Sequence, residues 1–284
     1  MGNCNMTGKL PITVIILTKN EQEVIERAIE SSINYFSQII VLDSFSDDLT
    51  VALAEKSGAE VYQRRFDGYA SQRNYALKEM PKKNDWILFL DADEMVTDEL
   101  AIELSGSLND ISNLRFGMAY MRRKDFFMGR WLRRSSGYPT WFGRLCHAPS
   151  VNVEREINEE YHCSLPTIKL SSHLLHYPFA KGLAFWVERH NRYSSNEALE
   201  KVSTSNGTKG TLFSIDPGLR RIFLKKVFMK LPMRPLIAFL YLYFFRMGFI
   251  DGRAGFRYAV LRSFYEFLID VKSDELILKN MDDD

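Results

Sequence analysis

Four short apolar runs, 12–17 (ITVIIL), 38–43 (QIIVLD), 60–63 (EVYQ) and 86–91 (WILFLD), are separated by stretches of helical patterning. Each run is about one strand long. Runs that are apolar throughout are buried on both faces, so their alternation with helices calls for βαβ units and a parallel sheet. Asn20, with Glu23 three residues on, is placed to cap the first helix, and Gly58 to end the second. In open α/β sheets ligands bind beyond the carboxyl ends of the strands. Polar residues stand at three of those ends: Thr18-Lys19-Asn20-Glu21, Asp43-Ser44 and Asp91-Ala92-Asp93-Glu94.

After residue 100 the alternation is lost, and basic and aromatic residues mingle from 118 to 141. The stretch 122–134 suits either a nucleic-acid patch or the recognition of a phosphorylated lipid or sugar acceptor. Lys and Arg number 37 against 36 Asp and Glu, which leaves no net field to attract nucleic acid and favours the acceptor. Trp131, Tyr138 and Trp141 are candidates for stacking on sugar rings. Residues 181–200 have a helical pattern, and 203–210 form a polar loop.

From Leu219 onward the composition shifts again, with Lys225, Lys226 and Lys230 preceding the uncharged run 235–245. A helix needs about 20 apolar residues to cross a bilayer, so this run is too short to span alone. Flanked by Arg234 and Arg246, it suits a helix lying in the membrane interface; a core-closing helix or a dimer contact is the alternative. The expected organisation is an α/β domain over 1–215, with a nucleotide-binding half (11–100) and an acceptor half (101–215), then a helical, membrane-associating tail over 216–284. Three scattered cysteines, Cys4, Cys146 and Cys163, make no disulfide framework, and the first ten residues lack the apolar core of an export signal. Both point to a reducing, cytoplasmic setting.

Asp91-Ala92-Asp93, at the end of an apolar run, supplies two carboxylates to one hard divalent cation, and that cation can bridge a diphosphate. Asp-x-Asp is common by itself. Its neighbours narrow the reading: Thr18-Lys19-Asn20-Glu21 after the first run, the loop 43–50 (DSFSDDLT) after the second, and 72–77 (QRNYAL) before the acidic motif. Together these resemble the family 2 glycosyltransferases of the GT-A fold, within which 176–178 (HYP), 190–194 (HNRYS) and 248–255 (GFIDGRAG) look most like the lipopolysaccharide-core and exopolysaccharide glucosyltransferase group.

The resemblance implies a Rossmann-like nucleotide-diphospho-sugar transferase fold, with a mostly parallel central sheet and a C-terminal helical segment. It implies that Thr18, Asn20 and Glu21 line the nucleotide pocket, that Asp43 contacts base or ribose, and that Arg73 reaches the diphosphate. Asp91 then lies near ribose and metal, Asp93 ligates the metal, and His176 completes a Mn²⁺ or Mg²⁺ site. The loop 43–50 departs from the family pattern, with Phe45 and Leu49 for glycines and Asp47 for threonine, but keeps Asp43, Ser46, Asp48 and Thr50. Asp43 also suits a plain turn cap.

Inverting transfer needs a carboxylate to deprotonate the acceptor hydroxyl. The resemblance implies Glu159 as the first candidate, since Asn158-Glu159 matches the His-Glu or Asn-Glu of related sequences, with Glu156 and Glu160 behind it. The expected activity is inverting, metal-dependent transfer of a hexose from a UDP-sugar to a lipid-linked saccharide of the bacterial envelope, at the cytoplasmic face of the inner membrane. A non-catalytic nucleotide-sugar-binding scaffold is the rival. A dehydrogenase is disfavoured because no GxGxxG follows the first run.

Overall fold

The computed structural model describes residues 8–154, 160–203, 227, 231 and 233–282. Two compact units emerge, one of Met1–Phe126 with Tyr138–Ala180, the other of Phe127–Gly137 with Lys181–Asp284.

The strands, in chain order, are β1 (Leu10–Thr18), β2 (Phe36–Asp43), β3 (Glu60–Gln63), β4 (Trp86–Asp91), β5 (Glu94–Met95), β6 (Met118–Phe127), β7 (Arg130–Trp131), β8 (Trp141–His147), β9 (Val151–Glu154), β10 (Glu160–Cys163) and β11 (Thr167–His176). The helices of the first unit are α1 (Ile25–Ile33), α2 (Thr50–Lys56), α3 (Tyr69–Lys78), α4 (Asp98–Gly106) and α5 (Leu108–Ser112). The main sheet runs β3-β2-β1-β4-β8-β6-β11-β5. All four apolar runs are strands, and β3, β2, β1 and β4 are mutually parallel. Beyond β4 the sheet is mixed: β8 is antiparallel to β4 and β6, β6 is parallel to β11, and β5 returns antiparallel to β11.

β1 lies at the centre of the parallel half and buries both faces. Ile12, Val14 and Ile16 pack with Ile25 and Ile29 of α1 and Leu100 of α4, while Ile15 packs with Ile40, Phe89 and Leu77 of α3 on the other side. Apolar residues at i, i+3 and i+4 of α1 supply the face that seals this layer. The expected cap at Asn20 does not form: α1 begins at Ile25 after Val24, without a side-chain cap. Asn20 instead sits at φ 56° and accepts the Asp47 N–H at 3.1 Å, so a bond across the strand ends displaces the local one. Gly58 does follow α2, at φ 89°.

The helices of the second unit are α6 (Gly182–Ser203), α7 (Arg234–Leu240) and α8 (Gly252–Asp282). Arg234 is buried and ion-paired to Glu266 and, at 2.6 Å, to Asp270, which also meets Lys201 at 2.9 Å. Lys272 donates to the Asn191 carbonyl at 2.6 Å and to Ser194 and Ser195 at 2.8 Å, tying α8 to α6. Among the described residues no single helix is long and apolar enough to cross a membrane, though Arg234–Phe245 and Gly248–Asn280, bent by 73°, meet that measure as a pair. Lys225, Lys226, Lys230 and nearly all of the loop expected at 203–210 lie outside the described residues.

Candidate active site

Strand register brings the predicted residues to one edge. Thr18 pairs with Asp43 across β1 and β2, and Leu17 with Asp91 across β1 and β4, so three neighbouring parallel strands end together. Thr18 donates to Asp43 Oδ1 at 2.9 Å. Asp43 is fully buried, and its carboxylate also accepts the Ser46 hydroxyl at 2.5 Å, the Ser46 N–H at 2.7 Å and Gln63 Nε2 at 3.4 Å. It therefore anchors the loop 43–50. That loop is bonded in turn to the end of β1: Asn20 N–H donates to Ser46 Oγ at 2.8 Å, and Glu21 N–H to Thr50 Oγ1 at 2.7 Å. Phe45, standing where a glycine was expected, takes φ 61°. The left-handed turn a glycine would allow is thus kept, at a steric cost.

At the β4 end the acidic motif divides. Asp91 faces guanidinium groups: Arg144 Nη1 donates to its Oδ1 at 3.2 Å, Arg144 Nη2 bonds its Oδ2, and Arg73 Nη2 lies 3.6 Å from Oδ1. Burial opposes ionisation of Asp91, but Arg144 and then Arg73 outweigh it and hold the carboxyl far below the usual range. The Asp91 side chain still keeps 37% of its surface exposed. Arg73, on α3, is buried against the Phe89 ring at 4.8 Å.

Asp93 turns the other way. Its Oδ2 lies 3.3 Å from His176 Nε2, and Asp125 Oδ1 accepts the Nδ1–H of the same imidazole at 2.7 Å. The short pairing of β5 with the end of β11 sets His176 opposite Glu94, and the Tyr177 N–H donates to the Asp93 carbonyl at 2.9 Å. Burial would lower the His176 pKa, but Asp93 and the Asp125 bond overcome that and the opposing Arg123, raising it to about 9. In this arrangement a proton on Nε2 sits between an imidazole nitrogen and a carboxylate oxygen. Those two atoms are the donor types a divalent cation takes, and a carboxylate on the far ring nitrogen is the usual support of a metal-bound histidine. The pair fits an ion in place of that proton. Asp91 does not join it, and no group of three His, Cys, Asp or Glu side chains that could hold a metal occurs among the described residues.

Sequence reasoning missed Arg144, Arg123 and Asp125. Glu94, fully buried, accepts from Arg144 at 2.6 Å and from the Asp91 N–H at 3.0 Å, with Arg123 at 3.4 Å. The signal for Arg144 was a lone charge inside the strand WFGRLCH, next to fully buried Leu145 and Cys146. The basic stretch 122–134 is not one patch: Arg123 and Asp125 serve this site, while 127–137 belongs to the second unit. Glu159 and Glu156 lie outside the described residues, whereas Glu160 is exposed on β10 opposite Glu154.

The model of the Glycosyl transferase family 2 matches residues 13–160, more than half of the chain. The chain belongs to that family. An uncharacterized glycosyltransferase of Rickettsia felis is 29% identical to this transferase over 285 residues, covering 95% of this chain and 91% of its own. Another, of Rickettsia bellii, is 47% identical over 93 residues, but the match spans only 33% of this chain and 31% of that protein. The lipopolysaccharide core biosynthesis glycosyltransferase LpsC of Rhizobium meliloti is 31% identical over 118 residues, 39% of this chain and 43% of its own. As a family 2 member the protein is a nucleotide-sugar transferase with a GT-A fold.

Proposed function

We propose that this transferase moves a hexose, with inversion, from a UDP-sugar to a lipid-linked saccharide of a bacterial envelope polysaccharide, at the cytoplasmic face of the inner membrane. A divalent cation, Mn²⁺ or Mg²⁺, would be held by Asp93 and His176, with Asp91 beside them. The observation that carries the reading is the Asp93–His176–Asp125 alignment at the edge where β1, β2 and β4 end. Such an ion, when bound, neutralises charge developing on the leaving diphosphate.

The chain's own residues supply the rest. Arg73 and Arg144 form a cationic wall beside Asp91, suited to a diphosphate, since a guanidinium pairs with phosphate oxygens in two-pronged fashion. Thr18, Asn20 and Glu21 border the nucleotide pocket, and Asp43 can exchange its long Gln63 bond for a base or ribose donor. Glu159 is the proposed base, with Glu156 and Glu160 as alternatives. The lipid-linked, envelope acceptor draws support from the likeness to LpsC and from the apolar, basic character of the chain around 235–257.

The test is transfer from labelled UDP-hexoses to lipid extracts, with and without Mn²⁺. Asp93→Ala is expected to abolish the metal-stimulated part, and Glu159→Gln to lower kcat by about 10²- to 10⁴-fold at unchanged donor KM. Unchanged activity in Asp93→Ala refutes the metal role. Tight donor binding with no turnover on any acceptor pool would instead mark a non-catalytic binding protein.

A further inference from the structure

The second unit contains an elbow that pushes large apolar side chains outward. α7 runs into a π-turn, Tyr241–Phe245, then Met247 takes φ 56° and a 3₁₀ turn, Gly248–Asp251, leads into α8 through Gly252 at φ 65°. Phe245 is 78% exposed, Phe244 56%, Phe249 49% and Ile250 48%. Isolated exposed apolar residues are ordinary, but this many large ones within seven consecutive positions mark a contact surface.

The elbow is tightly built. A Cβ on Gly255 would lie 2.1 Å from the Gly248 carbonyl oxygen, and one on Gly248 would lie 2.5 Å from that of Leu242. The backbones therefore touch where only glycine fits. Behind the turn, buried Asp251 accepts the N–H groups of Arg133, Arg134 and Ser135 at 2.8 to 3.1 Å, and the Ser135 hydroxyl at 2.8 Å. The four apolar side chains are thus presented on a braced corner.

Charge identifies the occupant. Besides Arg234, which is buried and neutralised by Glu266 and Asp270, four arginines, Arg246, Arg253, Arg257 and Arg262, stand between 241 and 265 with one acidic residue, the buried Asp251. Exposed Arg253 and Arg257 flank an open cleft lined also by Tyr243, Gly252 and Phe256. A second copy of this chain would set these arginines against their own kind, whereas an anionic lipid surface neutralises them and takes up the phenylalanines. The twelve residues 234–245 rise about 18 Å as helix against the roughly 30 Å of a hydrocarbon core, which suits lying in the interface.

We propose that the elbow 241–252 inserts Phe244, Phe245, Phe249 and Ile250 into the interfacial layer of an anionic bilayer, with Arg253 and Arg257 on lipid phosphates. This names the surface on which the lipid-linked acceptor of the proposed reaction would be met, and it rests on that reading only for the acceptor.

The test is sedimentation of the full chain with phosphatidylcholine vesicles and with vesicles also containing phosphatidylglycerol, with no donor present, so that it succeeds or fails independently of transfer. Wild type is expected to bind the anionic vesicles and to leave them as salt rises. Phe244→Ser with Phe245→Ser is expected to weaken binding about tenfold or more. Arg253→Glu with Arg257→Glu is expected to remove the preference for anionic lipid. A melting-point shift by UDP, retained in both double variants, shows that the donor unit is intact. Wild type left in the supernatant with anionic vesicles overturns the proposal, as do variants that bind like wild type. A wild-type dimer that the serine pair converts to monomer overturns it in favour of a second copy.

Discussion

Arg144 holds both oxygens of Asp91 and, through the same Nη2, Glu94 Oε1 at 2.6 Å, while the other oxygen of Glu94 accepts the Asp91 N–H at 3.0 Å. Residues from β4, β5 and β8 thus close a ring around the acidic motif. Removing the cation leaves two carboxylates, one fully buried, facing only the more distant Arg73 and Arg123. Arg144→Met is expected to cost about 3 kcal/mol, read as a lower urea midpoint at unchanged slope. Arg144→Lys keeps the charge but not the two-pronged geometry. It is expected to retain most of the stability and to raise donor KM, because Asp91 is no longer held in one orientation.

Asp125 fixes the His176 ring by accepting its Nδ1–H at 2.7 Å. Supporting bonds of this kind orient the ring and raise its basicity. Asp125→Asn is expected to weaken Mn²⁺ binding about 10- to 100-fold, measured by the signal of free Mn²⁺ in an EPR titration, with little change in melting temperature. Equal Mn²⁺ affinity in the variant would show that the Asp125 bond does not tune a metal ligand.

The parallel half of the sheet was legible because its signals are local. An apolar run such as WILFLD is one strand in the sequence and one strand in the structure, and the strand-end position of Thr18, Asp43 and Asp91 follows from it. Asn20 was misjudged because a capping pattern is local while its actual partner, Asp47, is 27 residues away. The far half of the sheet was not legible for the same reason. β8 reaches β4 antiparallel across more than 50 residues, and only that pairing carries Arg144 to Asp91. Likewise, β5 is two residues long, too short to show any periodicity, yet its pairing with β11 is what brings His176 to Asp93.

Asp251 is the brace of the second unit, with four hydrogen bonds to the segment Arg133–Ser135. Asp251→Ala leaves these donors without their acceptor in a buried site, at an expected cost of about 3 kcal/mol. Hydrogen exchange followed by mass spectrometry is expected to show faster exchange of the Arg133, Arg134 and Ser135 amides. The proposed donor site, followed by UDP-induced stabilisation, is expected to respond as in wild type.

His190 gives the second unit an acid-sensitive element. Its ring stacks on Trp186 at 3.6 Å and meets Tyr265 edge-on at 5.3 Å, and its Nδ1–H donates to the Trp186 carbonyl at 2.8 Å. Burial disfavours the imidazolium more than the carbonyl bond favours it, and Arg262 and Arg189 add repulsion, so the pKa falls from 6.5 to about 4. Between those values the unfolded chain binds the proton and the folded one does not. The contribution of neutral His190 to stability is therefore fully present above pH 6.5 and is lost as pH falls toward 4. Thermal unfolding is expected to show a melting temperature that declines across this window. His190→Phe keeps an aromatic ring against Trp186 but cannot titrate, so its decline is expected to be shallower; an identical pH profile in the variant would place the acid sensitivity elsewhere.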